Sequence, residues 1–124
     1  MPASRIAALA VLGLRIAYGA GLLLAPARLS RRWLGDGVDR ASAQVPLRAL
    51  GVREILLHTG AGAAALQGAP VRPWLVASLA GDVTDIVWTA AGRRQLPDGA
   101  LAATALVAGG YALISAAVAV AVDE

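Results

Sequence analysis

The chain has 124 residues, 58% hydrophobic and only 15% charged, with a formal net charge of +3 and a mean hydropathy of +0.67. That balance is too apolar to cover a soluble globule of this size, and it bounds the chain to one compact membrane domain. The absence of cysteine excludes disulfides, thiol catalysis and cysteine-ligated zinc.

The pI near 10.6 comes from eleven basic residues, all arginine. They are scattered among apolar runs and short loops, with no stripe and no interleaved aromatics, so nucleic acid is set aside. Anionic lipid is the partner that suits this charge. The lysine-free, Ala-, Gly- and Val-rich composition reads as coding bias of a high-GC genome rather than selection for guanidinium chemistry.

Run length predicts four spans, at roughly 5–25, 46–66, 73–92 and 100–122, since about 20 residues at about 1.5 Å each cross the hydrocarbon layer. Pro26 closes the first. Pro46 and Pro73 are expected at helix openings, where a missing N–H costs nothing, and Pro97 with Gly99 marks the last turn. Between the first two spans, residues 27–45 hold Arg28, Arg31, Arg32, Asp36, Asp39 and Arg40, with Leu29, Trp33 and Leu34 as apolar anchors. This stretch reads as an interfacial amphipathic segment with a turn at Gly35-Asp36-Gly37. The expected fold is therefore all-α: an integral membrane, antiparallel four-helix bundle with an interfacial segment between helices 1 and 2.

Loop arginines give an orientation. Arg28, Arg31, Arg32, Arg40, Arg93 and Arg94 lie on one side, against Arg5, Arg72 and the acidic tail Asp123 and Glu124 on the other. The positive-inside rule then predicts a multi-pass protein of the bacterial inner (cell) membrane with both termini non-cytoplasmic. Ala25-Pro26-Ala27 could instead be a signal-cleavage triplet, but Arg15 within the run and the arginines just after it argue against cleavage.

Five ionisable residues sit inside these runs: Arg15, Arg53, Glu54, Asp82 and Asp85. Charge at that depth costs a few kcal/mol per residue on insertion scales, about 2.5–3.5 for Arg or Asp, and such residues usually face the interior and mark function. Helical spacing puts Gly51, Glu54, His58 and Ala61 on one face and Ser78, Asp82, Asp85 and Thr89 on another. Arg15 neighbours Tyr18 and Gly19. In the last span Thr104, Tyr111 and Ser115 fall on one side, with Ala108, Ala112 and Ala116 as a small-residue packing ridge.

Arg15 and Asp82 lie at matching depth if helices alternate; Arg53, about 100° round from Glu54, is expected to reach a different neighbour, and with Glu54 and Asp85 in the same half a second guanidinium–carboxylate contact is expected there. With Arg48, three arginines balance three carboxylates, and bidentate pairs would satisfy them without water. A balanced set can also serve only to fix helix register. The lone His58 cannot anchor zinc and reads alone as a hydrogen-bonded packing histidine. The Gly81-Asp82…Asp85 spacing matches motifs that hold magnesium against a diphosphate, but neighbouring arginines would already neutralise those carboxylates, so no metal and no cofactor are assigned. Trp74 and Trp88 sit near the ends of the third span as interfacial anchors.

An apolar helix ending Leu24-Ala25-Pro26-Ala27, then Trp33-Leu34-Gly35, then Arg48-Ala49-Leu50-Gly51-Val52-Arg53-Glu54, then Gly81-Asp82-Val83-Thr84-Asp85, resembles a group of small four-span bacterial membrane proteins, common in actinobacteria, classed as a domain of unknown function. The resemblance covers about residues 12–96. It implies the same fold and polar cluster, and no reaction.

Three functions are compatible with this pattern. One is binding of the polar group of a lipid or isoprenoid-like hydrophobic molecule, with Arg15, Arg53, Tyr18 and Trp88 as ligand contacts. A second is a membrane-embedded acid/base enzyme, an isomerase, cyclase or hydrolase, with Glu54 and Asp82 as acid and base and Asp85 and His58 assisting. The third is a small proton-coupled transporter, disfavoured because its acids would be matched by arginines. The oligomeric state is left open by the sequence.

Overall fold

A computed structural model describes residues 2–122 and is all-helical, with no strand among the described residues. Its five α-helices are α1 (Ala3–Leu24), α2 (Pro26–Leu34), α3 (Ala41–Leu66), α4 (Arg72–Gly92) and α5 (Ala100–Ala121). The acidic pair Asp123 and Glu124 lies outside the described residues.

Proline and glycine set the breaks. Pro26 ends α1 and opens α2, where its fixed φ suits a first turn. Gly35, at φ 75°, closes α2 in a conformation that L side chains rarely adopt, and a short 3-10 turn (Gly35–Asp39) follows. The amphipathic stretch is thus a helix and a turn. α3 departs from expectation: it starts at Ala41, and Pro46 lies inside it rather than at its opening. The amides of Ala43 and Gln44 already bond to the Arg40 carbonyl, so the helix is nucleated before the proline. In the second turn Pro46 removes one backbone bond and is tolerated.

Two helix pairs organise the molecule. α1 runs in close contact with α3, and α4 with α5; α3 meets α4, and α1 meets α5, only briefly. The α1–α3 crossing is tightest at Gly19 and Gly51. A Cβ on Gly19 would stand 2.7 Å from the Gly51 carbonyl oxygen, and one on Gly51 would stand 2.5 Å from that of Gly19. Only glycine lets the two backbones touch there.

The buried positions follow a seven-residue rhythm: Ala8, Leu12, Arg15, Gly19 and Leu22 in α1; Leu47, Gly51, Glu54, His58, Ala61 and Ala65 in α3; Leu75, Ser78, Asp82 and Thr89 in α4. This is a coiled-coil seam, with leucines toward its ends (Leu12, Leu22, Leu47, Leu75) and small or polar residues between them. Outside, the pattern inverts. Leu106 is 78% exposed and Leu113 75%, while Arg15 is 4% and Asp82 3% exposed. Apolar clusters lie at both ends of the seam. One joins Ala8, Leu12, Ala61, Ala65, Val71, Leu75, Ala119 and Val122; the other joins Leu22, Val38 and Leu47 with Tyr18, Trp33 and Leu34 packed on it.

Arginines finish the helix ends. Arg5 Nη1 donates to the carbonyls of Ala65 and Ala69 near the end of α3. Arg48 donates to Leu23 of α1 at 2.9 Å, Arg72 to Ala119 and Val120 of α5, and Arg93 to Ala90 of α4. Each guanidinium meets carbonyls of a last helical turn or just beyond it, at the negative end of the helix dipole, and adds a donor even where a backbone amide already bonds the same oxygen, as at Ala65 and Ala90. Two helices, Ala3–Leu24 and Ala100–Ala121, are long and apolar enough to cross a membrane.

Candidate functional site

Long polar side chains fill the gap between the two helix pairs. Arg15 reaches from α1 to α4 and grips both oxygens of Asp82, at 2.9 Å and 2.7 Å. The Nη2 that makes the shorter bond also donates to Glu54 Oε2 of α3 at 3.2 Å. The Tyr111 ring of α5 covers the guanidinium, with its centroid 4.5 Å from Cζ. One side chain therefore ties all four long helices together, by charge-assisted forks and a cation–π contact.

A second polar link lies one turn away. His58 Nδ1 is 2.7 Å from the Glu54 carbonyl oxygen and 3.3 Å from Glu54 Oε2, and Nε2 is 2.9 Å from Ser78 Oγ. Two acceptors at Nδ1 place the proton there in the neutral ring, so the Ser78 hydroxyl donates to Nε2. The packing role read for His58 is what the geometry shows, with Ser78 on α4 as its partner.

The charge count changes. Arg48 belongs to the end of α1, and Arg53 is exposed with no ion pair among the described residues. The expected second guanidinium–carboxylate contact from Arg53 is not made, because Arg53 is exposed and points away from the seam. Three carboxylates thus face one buried guanidinium. Asp85 makes no hydrogen bond or ion pair among the described residues, and it is half-buried.

Asp85 lines a cavity of about 350 Å³. The polar part of its wall is Arg15, Tyr18, Glu54, Asp82, Asp85, Thr104 and Tyr111; the apolar part comes chiefly from Leu50 and the α5 residues Ala103, Leu106, Val107 and Ala108. Arg32, Trp33 and Leu29 of α2 border it on one side. Leu106 and Val107 also belong to the exposed outer surface, so the cavity opens sideways between α2 and α5. The volume falls in the range of small-molecule sites, and the lining combines apolar walls with a few convergent polar groups, as such sites do.

α2 is held in place by a bond that sequence reasoning missed: Trp33 Nε1 donates to Thr89 Oγ1 of α4 at 3.0 Å. Thr89 closes the polar stripe of α4, a position whose burial was legible but whose partner was not. The turn after α2 is fastened by Arg31, which bonds Asp39 at 2.9 Å and 3.2 Å and Asp36 at 3.3 Å. The guanidinium beside Asp39 holds its carboxyl below the usual range.

Of the residues singled out in the sequence, Arg15, Tyr18, Glu54, Asp82 and Asp85 come together on the cavity wall. His58 stands behind Glu54, and Arg53 and the exposed Trp88 face outward. Among the described residues no group of three carboxylate or histidine side chains is placed to hold a metal ion. The chain matches no protein-family model, no curated protein and no solved structure.

Proposed function

We propose that this is an integral membrane protein, a single antiparallel four-helix bundle with α2 at the interface, whose cavity binds a hydrophobic small molecule by its polar group. The observation that carries the reading is the cavity itself: an apolar wall, a sideways opening, and at its polar end the Arg15–Asp82–Glu54 cluster with Asp85 unpartnered. Support for the membrane comes from the inverted pattern of burial. A surface studded with Leu, Val and Ile around a charged interior suits hydrocarbon surroundings, where polar groups must be satisfied within the protein. The arginine caps agree. Arg5 and the α1 residue Leu23, which Arg48 caps, are separated by about 27 Å at about 1.5 Å per residue, close to the hydrocarbon thickness of about 30 Å. Exposed Arg53, less than two turns from Arg48, can snorkel to the same interface.

Binding is tested by native mass spectrometry of gently purified protein. A hydrophobic molecule should co-purify, be lost on Thr104→Trp, which fills the cavity, and persist on Arg53→Ala. Protein that carries no such molecule, or the same amount in Thr104→Trp, would overturn the assignment. Topology is tested by single cysteines, which the cysteine-free chain allows without background. Asp98→Cys should be shielded from an impermeant thiol reagent in intact cells, and Ala69→Cys should react.

A second reading, an acid/base enzyme on a hydrophobic substrate, is favoured by the excess of carboxylates over guanidinium in the wall. Asp85 and Glu54 suit proton transfer, since Asp82 has both oxygens held by Arg15. Two carboxylates in one apolar site whose environments differ can divide the acid and base roles. An activity abolished by Asp85→Asn with folding intact would raise this reading above simple binding.

A further inference from the structure

We infer that the ligand of this cavity carries a positive charge: a hydrophobic amine whose ammonium pairs with Asp85. The inference rests on the binding reading above and narrows it to a ligand class. Three observations lead to it. First, the wall holds Arg15 and Arg32 against Glu54, Asp82 and Asp85, so with all five ionised it has one negative charge in excess, and a monocation restores balance. Second, the Nη groups of Arg15 are committed to Asp82 and Glu54, and Tyr111 covers its face; its Nε–H has no hydrogen-bond partner among the described residues but is itself fully buried. The unpartnered charged group that the wall offers an incoming polar group is therefore the Asp85 acceptor. Third, Asp85 is the wall carboxylate without a hydrogen bond or ion pair among the described residues, and the wall around it includes the rings of Tyr18 and Tyr111. Aromatic faces beside a carboxylate are the surroundings in which ammonium groups are held.

Arg32 is exposed on α2 and borders the cavity rather than its polar end, so it meets the ligand on the way in. Its charge opposes entry of a cation and would attract an anion, which makes it a control for the sign of the ligand. The apolar part of the molecule lies along Ala103, Val107 and Ala108, and the opening beside Leu106 admits it from the bilayer.

The experiment compares three probes of equal chain length, octylamine, octanol and octanoate, added to wild-type protein in detergent and read as bound adducts by native mass spectrometry. Octylamine should bind at least tenfold more tightly than octanol or octanoate, and Thr104→Trp should remove it. Asp85→Asn should bring octylamine down to the level of octanol and leave octanol unchanged. Arg32→Gln should strengthen octylamine and weaken octanoate. Octanoate binding more tightly than octylamine in wild-type protein would overturn the charge assignment while leaving the cavity as a binding site. So would equal losses of octylamine and octanol in Asp85→Asn. Failure of all three probes to bind the folded wild-type protein would overturn the binding reading itself. The wild-type comparison stands even if Asp85→Asn does not fold.

Discussion

The two ends of the molecule are built from the same helices and packed in opposite ways. At the end capped by Arg5 and Arg72, small residues let the helices converge, and Ala8, Ala61, Ala65, Leu75 and Val122 close on one another. At the other end α2 inserts between the pairs, with Tyr18, Trp33 and Leu34 packed on Leu22, Val38 and Leu47, and the cavity lies under it. The Arg15 layer separates the two regions. Side-chain size explains the difference: at the first end alanines bring the pairs together, whereas at the second tyrosine and tryptophan stand between the pairs and leave space that side chains do not fill, although α1 and α3 still touch within their pair at Gly19 and Gly51. A stable end and an accessible end are therefore divided along the same helices.

The largest expected effect comes from breaking the layer between the ends. Arg15→Leu leaves Asp82 unpaired beside Glu54, which keeps only His58, and should cost about 3–5 kcal/mol, as removal of one member of a buried pair does. Thermal unfolding in detergent would measure it. The double variant Arg15→Leu with Asp82→Leu should recover part of the loss; no recovery would show that the direct pair is not what matters. Next is Gly51→Ala, which must push α1 from α3 and should cost about 1–3 kcal/mol. The same change at Gly62, where a Cβ meets nothing within 4 Å, should be neutral or stabilising.

At the accessible end, Thr89→Val leaves the Trp33 indole N–H unpaired and should loosen α2 by about 1–3 kcal/mol. The readout is faster amide exchange in residues 26–40 with unchanged exchange in the Ala61–Leu75 region. Uniform acceleration would mean that α2 does not open separately from the rest. The smallest effect belongs to Arg31 and Asp39. The folded carboxyl is held below its ordinary range, so its contribution is complete above the unfolded value and lost as pH falls through the folded one. Both groups are exposed, so added salt should weaken the effect. Asp39→Asn at neutral pH should reproduce the acid form, judged by the same exchange of the Gly35–Asp39 turn.

Much of the seam was legible, because helical phase and depth follow from spacing alone. Glu54 with His58, and Ser78 with Asp82 and Thr89, fall on buried stripes, and Arg15 meets Asp82 at the depth that alternating helices predict. What escaped was where the arginines outside the Arg15 layer go. Arg48 was counted toward charge balance and instead caps α1, and Arg53 was assigned a carboxylate and instead points outward. Sequence spacing fixes where a Cα sits on a helix but not which neighbouring helix ends beside it, and capping depends on the latter. The start of α3 was misplaced for a related reason, since Pro46 marks an opening only when nothing upstream nucleates the helix. The return of α2 rests on Trp33 meeting Thr89, 56 residues away, which no local pattern encodes.

The division into two helix pairs carries a consequence for how the chain can be cut. α1 packs along α3 and α4 along α5, and the join between Gln67 and Val71 runs between the pairs. The contacts across that join are complementary: one half brings Arg15, His58 and Trp33, and the other brings Asp82, Ser78 and Thr89. Two fragments severed at Gly68-Ala69 and produced together should find each other in one membrane and restore the whole. Reassembly of a split reporter fused to the new ends would depend on Arg15 and Asp82 more than on any apolar contact. The guanidinium fork that ties the four helices would then act as the address by which one half recognises the other.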